Sequence, residues 1–170
     1  MKSYTFAELF VVISLIVIFS TIGIYFAQKV KYAHNLERAK VFLVSKIHYA
    51  RSLSLSPKKI GSSQPYGYGI YFPSFPTIKF YLFADLDGNY IWTNSSETIE
   101  ECSLEKLTEI SSAMLSSGGV SRLDLLFATS KAEVYFNGNS SISFARITLK
   151  ETVGNSTSTI FINKLGQISF

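Results

Sequence analysis

An uncharged run of 19 residues from Leu9 to Ala27 limits this chain more than any other feature of its sequence. As a helix it would be about 28 Å long, at about 1.5 Å per residue, and the hydrocarbon core of a bilayer is about 30 Å thick. A secretory signal peptide has a shorter apolar core, about 7 to 15 residues, followed by a small-residue cleavage site. Here the run continues directly into a basic segment at Lys29 and Lys31. It therefore predicts a membrane span that is not removed.

Composition allows one further domain and excludes a metal or disulfide framework. The chain has 170 residues, of which 47% are hydrophobic and 16% charged. A single cysteine, Cys102, can form no intramolecular disulfide, and His34 and His48 are too few for a histidine-based metal site. The net charge of +4 is uneven: residues 1 to 60 hold nine basic and two acidic side chains, and residues 61 to 170 hold seven and ten. The C-terminal part is therefore not a basic nucleic-acid-binding domain by composition.

Glu8 lies immediately before the apolar run. An ionised carboxylate at membrane depth costs about several kcal/mol, so such a residue usually has a partner and a role. The nearest conceivable cation is an amino terminus. Cleavage after Ser3 would place an ammonium on Tyr4, where it could pair with Glu8 of a neighbouring subunit. From the residues alone, an ordinary interfacial position at the level of the lipid headgroups explains Glu8 equally well.

Residues 3 to 13 read SYTFAELFVVI, which resembles the processing and assembly motif of type IV prepilins and type II secretion pseudopilins, usually written GFTLIELLVVI. The identical residues are Thr5, Glu8, Leu9, Val11, Val12 and Ile13, and Tyr4 keeps an aromatic ring at the first mature position. The resemblance implies that a prepilin peptidase removes residues 1 to 3 and methylates the new N-terminus at Tyr4. It also implies that Glu8 positions each subunit in a helical filament. Ser3 stands where the family usually has glycine.

The same resemblance implies a location and a set of partners. The chain would cross the cytoplasmic (inner) membrane once, with its N-terminus in the cytoplasm and its head outside, and would then enter a pilus or pseudopilus filament. The implied partners are other pilins or pseudopilins, the prepilin peptidase, the inner-membrane assembly platform and membrane lipid. The positive-inside rule alone predicts the opposite orientation, because residues 28 to 40 carry four basic side chains and only Lys2 precedes the run. We give the motif precedence because prepilins enter the membrane with a fixed topology.

Residues 28 to 56 predict an amphipathic continuation of the helix, because they contain no Pro or Gly and carry an apolar residue at every third or fourth position. The stripe consists of Tyr32, Leu36, Ala39, Leu43, Ile47, Ala50 and Leu53. Basic residues on the other faces allow two interpretations, a helix packed under its own sheet or a basic surface that binds DNA or anionic lipid. So regular a stripe needs a covering partner, which favours packing. Pro57 and Gly61 end the helix and make residues 57 to 65 a linker.

Residues 66 to 170 predict a β-rich head, because short segments rich in Tyr, Phe, Ile and Thr alternate with turn signals. The predicted strands are 66–72, 78–84, 90–93, 108–115, 123–128, 132–136, 143–150, 158–163 and 167–170. The predicted fold is α+β and pilin-like, with a long N-terminal helix, first transmembrane and then amphipathic, packed on an antiparallel sheet. The predicted divisions are a leader (1–3), the two halves of the helix (4–27 and 28–56), the linker (57–65) and the head (66–170). The Tyr-Gly-rich strand and the C-terminal hairpin are similar to the GspH/FimT group of minor pilins and pseudopilins.

The head offers few candidates for chemistry. Asp85, Asp87 and Asn89 place oxygen ligands on alternate residues, as calcium prefers, but Gly88 and Ser96 depart from the EF-hand pattern, which favours a hairpin turn. An acidic run consists of Glu97, Glu100, Glu101, Glu105 and Glu109. We interpret it as a solvated loop or short helix, with a docking face for a basic partner as the alternative. The sequence contains no catalytic constellation, so we predict neither an enzyme nor a cofactor or metal.

The function predicted from these features is that of a structural minor subunit of a type IV pilus or type II secretion pseudopilus, assembled through its N-terminal helix. The first alternative is a DNA-binding minor pilin for DNA uptake. Its candidate contacts are Lys58, Lys59, Arg146, Lys150 and Lys164, and the negative balance of the head counts against it. The second alternative is an anchored protein that is never cleaved or polymerised.

Overall fold

A single helix forms the N-terminal third of the chain. The computed structural model describes residues 5–105, 107–129 and 133–170, and its first element is α1 (Phe6–Leu55), 50 residues long. The helix begins at a capping box in which the Thr5 side chain accepts the Glu8 N–H and the Glu8 side chain accepts the Thr5 N–H. It ends just before Pro57, since a proline disfavours helical geometry in the residue that precedes it. The apolar run and the amphipathic segment are therefore one continuous element.

Within the described residues, ten strands follow α1 and form two antiparallel sheets of five strands each. Their bounds are β1 (Gly67–Phe72), β2 (Lys79–Asp85), β3 (Thr98–Ser103), β4 (Thr108–Leu115), β5 (Gly118–Val120), β6 (Leu123–Ala128), β7 (Val134–Phe136), β8 (Phe144–Glu151), β9 (Thr157–Asn163) and β10 (Ile168–Ser169). The first sheet has the order β3-β2-β1-β6-β7 and the second the order β10-β9-β8-β4-β5. The predicted α+β fold, a long N-terminal helix packed on antiparallel sheet, is confirmed.

The main core lies where the C-terminal half of α1 meets both sheets. The predicted stripe is confirmed: Leu36, Ala39, Leu43, Ile47 and Ala50 are buried, and Tyr32 and Leu53 are half-buried. The sheets contribute side chains that are fully buried, among them Ile70, Leu82 and Leu125 from the first and Ile147, Leu149 and Ile160 from the second. Because burial of one such side chain is worth about 1.5 to 3 kcal/mol, the helix and the sheets stabilise one another.

A smaller cluster covers the outer face of the first sheet. Tyr71, Phe83, Leu126, Ala128 and Tyr135 are buried there. The covering loop, residues 86–97 between β2 and β3, lies across them. Its Tyr90 ring stacks on Tyr135 with centroids 4.2 Å apart, and its Trp92 ring stacks on Tyr71 at 4.4 Å. The covering loop, with its two aromatic side chains, therefore covers this face of the first sheet in place of a further layer of helix or strand.

One predicted strand is wrong, and two observed strands were not predicted. The segment 90–93 is not a strand but part of the covering loop, because its aromatic side chains pack onto the sheet from above rather than extending it. Two strands were not predicted, β3 and β5. Both lie at the edge of a sheet, where charged residues such as Glu100 and Glu101 and the glycines 118 and 119 are tolerated. Their composition is therefore typical of loops although the backbone is extended.

Candidate membrane and assembly segment

The described residues of the protein leave the N-terminal half of α1 uncovered. Every large apolar side chain from Phe6 to Val30 is exposed, with exposed fractions from 47% to 83%. An 18-residue window in this helix has a mean hydropathy of 2.6, and none of it is buried. The helix is thus long and apolar enough to span a membrane, and it lies near the N-terminus. A single-pass membrane protein is consistent with this segment.

Two of the hydroxyl side chains within the apolar run, those of Ser14 and Thr21, are satisfied by the helix itself. The hydroxyl of Ser14 donates to the carbonyl of Phe10 at 2.9 Å, and that of Thr21 donates to the carbonyl of Val17 at 2.8 Å. Without such bonds a hydroxyl in lipid would lack a partner, which is costly. These two residues therefore do not prevent the segment from entering a bilayer.

Glu8 is bound within its own chain at the first turn of α1. Its Oε2 accepts the backbone N–H of Thr5 at 2.8 Å and the Thr5 hydroxyl at 3.1 Å. The Thr5 hydroxyl in turn accepts the N–H of Glu8 at 3.3 Å. Ser3 and Tyr4, the predicted cleavage and methylation positions, lie outside the described residues. Glu8 is thus placed at the N-terminal end of the exposed helix with its side chain already hydrogen-bonded.

The C-terminal half of α1 is joined to the acidic run by ion pairs. Arg38 pairs with Glu105 at 2.9 Å, and Lys46 pairs with Glu100 at 2.6 Å. The interpretation of this run as a solvated loop or short helix is wrong for Glu100 and Glu101, which lie on strand β3, and for Glu109, which lies on strand β4. The sequence did not show this because the arrangement depends on tertiary structure: β3 is the edge strand of the first sheet, where its carboxylates reach the basic residues of α1. These basic residues therefore belong to the packing of the head on α1.

The five candidate DNA contacts lie in two regions. Lys58 and Lys59 follow the C-terminal end of α1, and Lys164 lies in the β9–β10 turn at the same end of the head, where Arg51 Nη1 donates to the carbonyl of Gly166 at 3.0 Å. Arg146 and Lys150 lie on β8, where they alternate with the buried residues. On the neighbouring strands, Arg146 faces Met114 and Phe161, and Lys150 faces Glu109 and Thr157. The structure thus separates these residues into one group at the end of the head and a second group on β8.

Buried carboxylates anchor the covering loop. Asp85 accepts the N–H of Gly88 at 2.7 Å and that of Tyr90 at 3.0 Å through its two oxygens. The Tyr90 backbone has φ of 64°, a left-handed conformation that bulky residues rarely adopt. Burial raises the pKa of Asp85, against the opposing effect of these two hydrogen bonds. The hairpin turn predicted at this aspartate is therefore the start of the covering loop.

Glu97 and Asp124 also hold the covering loop in place by accepting its backbone N–H groups. The sequence did not predict this role for either residue. Glu97 accepts the N–H of Leu86 at 3.1 Å and that of Thr93 at 2.8 Å. Asp124 accepts the N–H of Trp92 at 2.9 Å, and its carboxylate forms an ion pair with Arg122 at 2.8 Å. Burial raises the pKa of Asp124 as well. One signal was available, since Asp124 interrupts the apolar strand LDLLFA and a charge there needs partners.

Most of the oxygens considered as calcium ligands accept hydrogen bonds within the covering loop. Carboxylate oxygens of Asp85, Asp87 and Glu97 lie within 4.8 Å of one another. Asn89 lies outside this group, and its amide instead donates to Asp87 at 2.8 Å. Because both oxygens of Asp85 and of Glu97 accept backbone N–H groups, the arrangement of these carboxylates is accounted for by the loop.

Comparisons with known protein families, with curated proteins and with solved structures find no match to this chain. The structure provides a long N-terminal apolar helix followed by antiparallel sheets. This arrangement is compatible with a pilin-like fold.

Proposed function

We propose that the chain is a structural subunit of a filament of the type IV pilin and type II pseudopilin class, held in the cytoplasmic membrane and then polymerised through α1. One observation supports this most directly. The same continuous helix is exposed and apolar in its N-terminal half and is packed under two sheets in its C-terminal half. The head is therefore attached to a helix whose remaining surface has to be covered by something else.

The exposed surface is large enough to determine where the protein resides. It includes 16 large apolar side chains between Phe6 and Val30. At about 1.5 to 3 kcal/mol for each, their removal from water is worth on the order of tens of kcal/mol. A bilayer supplies such surroundings before assembly, and the same halves of neighbouring subunits would supply them afterwards. A helix of this kind can pass from one environment to the other without unfolding.

Glu8 would then determine the register between subunits. Both hydrogen bonds described for its carboxylate go to Oε2, and a carboxylate can accept bonds at both oxygens. After cleavage behind Ser3, the ammonium of Tyr4 on a neighbouring subunit would bind this carboxylate. The pairing removes a charge from apolar surroundings, so it favours one axial position over others.

The test compares two substitutions at one residue. Glu8→Ala removes both the charge and the capping bond, and Glu8→Gln removes the charge while a side-chain oxygen still accepts the Thr5 N–H. We expect both variants to remain in the membrane fraction and both to be absent from sheared, pelleted filaments. Thr5→Ala, which removes the hydroxyl and keeps the charge of Glu8, is the matched control and should be incorporated. Normal incorporation of Glu8→Gln would contradict the charge-pairing mechanism.

The two alternatives are separated from this proposal by other measurements. Mass spectrometry of assembled protein should find Tyr4 as the methylated first residue, whereas an intact Met1 or Lys2 would favour an anchored, unprocessed protein. A DNA-binding minor pilin would shift DNA in a gel in a salt-sensitive manner. The observation in its favour is the grouping of Lys58, Lys59 and Lys164 at the end of the head farthest from the apolar half. Absence of a salt-sensitive shift removes that alternative.

A further inference from the structure

The turn between β8 and β9, residues 152–156, lies against α1 at the point where the apolar run ends. A Cβ on Gly154 would lie 3.7 Å from Cδ2 of Tyr32. Gly154 and Ser156 line a cleft of about 180 Å³ whose other walls are Tyr25, Gln28, Lys29 and Tyr32 on α1. One turn of the head therefore reaches the part of the helix that leaves the membrane.

The position of this turn along the helix corresponds to the lipid headgroups. Tyr32 is five residues beyond Ala27, the last residue of the uncharged run, which is about 7.5 Å along the helix axis. The headgroup region adds about 5 to 8 Å to each side of the hydrocarbon core. The turn tip beside Tyr32 thus lies at the depth of the headgroups, and its cleft extends toward Tyr25, within the run.

The strand that follows the turn leads away from this level, while the segment just before β4 lies beside the turn, where the carbonyl of Leu107 accepts the N–H of Thr152 at 3.0 Å. Glu151 and Thr157, which bound the turn, are at the Tyr32 end, and the carbonyl of Gly166 accepts a bond from Arg51 at 3.0 Å. From Tyr32 to Arg51 the helix rises about 28 Å, and the seven residues of β9 extend over about 23 Å before the turn at 164–166. The strand β9 therefore runs along α1, so that the β8–β9 turn faces the bilayer and the β9–β10 turn does not.

The chemistry of the turn suits a lipid interface. Val153 is 56% exposed, and the other residues of the turn, 152 and 154–156, are uncharged. The acid that immediately precedes the turn, Glu151, is fully buried and accepts the N–H groups of Val153 and Gly154, so it presents no carboxylate to the membrane. Lys29 and Lys31 are exposed on the adjacent helix. An apolar tip, a tyrosine and nearby lysines are the groups that bind at anionic bilayer surfaces.

We infer that the β8–β9 turn, together with Tyr25, Lys29 and Lys31, is a membrane-contact site that seats the head on anionic phospholipid headgroups with Val153 inserted among them. The inference rests on the proposed membrane span of α1 but not on polymerisation. Seating determines the depth and rotation of α1 in the bilayer, since the turn touches one side of the helix. Extraction of the subunit into a filament has to withdraw Val153 from lipid.

The experiment places a fluorophore at three positions of the full chain in phosphatidylglycerol–phosphatidylcholine vesicles. The variants are Val153→Cys, Leu165→Cys as the matched control at the far end of the head, and Ile18→Cys within the span. Leu165 is 63% exposed, comparable to Val153. Cys102 is buried, and burial raises the pKa of its thiol to about 11, so the native chain serves as the unlabelled blank. Lipids with a nitroxide on the headgroup then quench fluorophores that lie at the interface, and acyl-chain nitroxides quench those in the core.

We expect headgroup nitroxides to quench Val153→Cys several-fold more than Leu165→Cys, and acyl-chain nitroxides to quench Ile18→Cys. Equal quenching at positions 153 and 165, with Ile18→Cys quenched, would overturn the inference and leave the proposed function standing. Failure to quench Ile18→Cys would overturn the span, and with it both proposals. Omission of phosphatidylglycerol, or Lys29→Gln with Lys31→Gln, should reduce quenching at position 153 alone. Unchanged quenching there would overturn the role of the two lysines.

Discussion

Replacing Asp85 by asparagine tests whether a buried carboxylate holds the covering loop on the first sheet. Its two oxygens accept the N–H groups of Gly88 and Tyr90. Asparagine offers one oxygen, so one of these donors would face an amide nitrogen and lose its bond. A buried donor left without a partner costs about 1 to 3 kcal/mol. Asparagine also avoids the cost of burying a charge, so we expect the free energy of unfolding to fall by about 1 to 2 kcal/mol at neutral pH.

The pH dependence of this effect has a defined sign. Because burial raises the pKa of Asp85 in the folded protein, the folded state binds a proton more readily than the unfolded state. The contribution of this carboxyl to stability therefore increases as the pH falls through the raised folded pKa. It is complete below the ordinary pKa of about 3.9. Asparagine has no such contribution, so the difference between native protein and variant should widen from neutral to acid pH.

The single tryptophan provides the measurement. Trp92 belongs to the covering loop and stacks on Tyr71 at 4.4 Å, so its emission reports the loop while far-UV circular dichroism reports the helix and sheets. Denaturant unfolding of the full chain in detergent would be followed with both signals. The control at neutral pH is Asp87→Asn, since Asp87 is exposed in the same loop and its carboxylate accepts bonds from Asn89. Because Asp87 contributes to the raised pKa of Asp85, the comparison in acid uses the native protein and Asp85→Asn alone. Equal destabilisation by the two substitutions, or a difference that narrows in acid, would refute the reasoning.

Three further predictions follow from the packing of the head. Ile47→Ala removes a fully buried side chain between α1 and the sheets, and should lower the free energy of unfolding by about 2 to 5 kcal/mol in denaturant titrations; a loss below 1 kcal/mol would mean that the helix is not packed as described. Gly69→Ala would set a Cβ 2.7 Å from the Phe83 ring and against the Leu125 carbonyl, so its melting temperature should fall well below that of Gly119→Ala, whose Cβ has no neighbour within 4 Å. Cys102 should react with a thiol reagent at pH 8 only after denaturant is added, because burial raises its pKa to about 11; rapid reaction of the native protein would contradict its burial.

The helix could be predicted almost completely because its signals are local. The length of the apolar run, the absence of Pro and Gly from residues 28–56, and the spacing of the stripe all repeat along one element. Leu36, Leu43 and Ile47 were identified as its packed face, and all three are buried. Glu8 was also singled out from its place before the run, although the capping bond to Thr5 was not foreseen.

The covering loop shows what local signals miss. Asp85 and Gly88 correctly indicated a turn, but residues 90–93 have the composition of a strand and were predicted as one. Tyr90 and Trp92 lie on the sheet because Asp85 and Asp124 hold the backbone of the loop from below. Those contacts join residues that are as many as 32 positions apart. Asp124 stands out as a charge in an apolar strand, but the pattern of that strand does not indicate which backbone N–H it binds.

By itself, the sequence determined that this chain has a membrane-length helix with a basic continuation, a packed stripe and a strand-rich head, since periodicity and composition act over a few turns of chain. Only the tertiary structure decided that there are two sheets, that the acidic run pairs with Arg38 and Lys46, and that the β8–β9 turn meets α1 at the end of the apolar run. These features depend on which segments, distant in sequence, pack against one another. Burial of apolar side chains and pairing of charges across the whole molecule determine that packing.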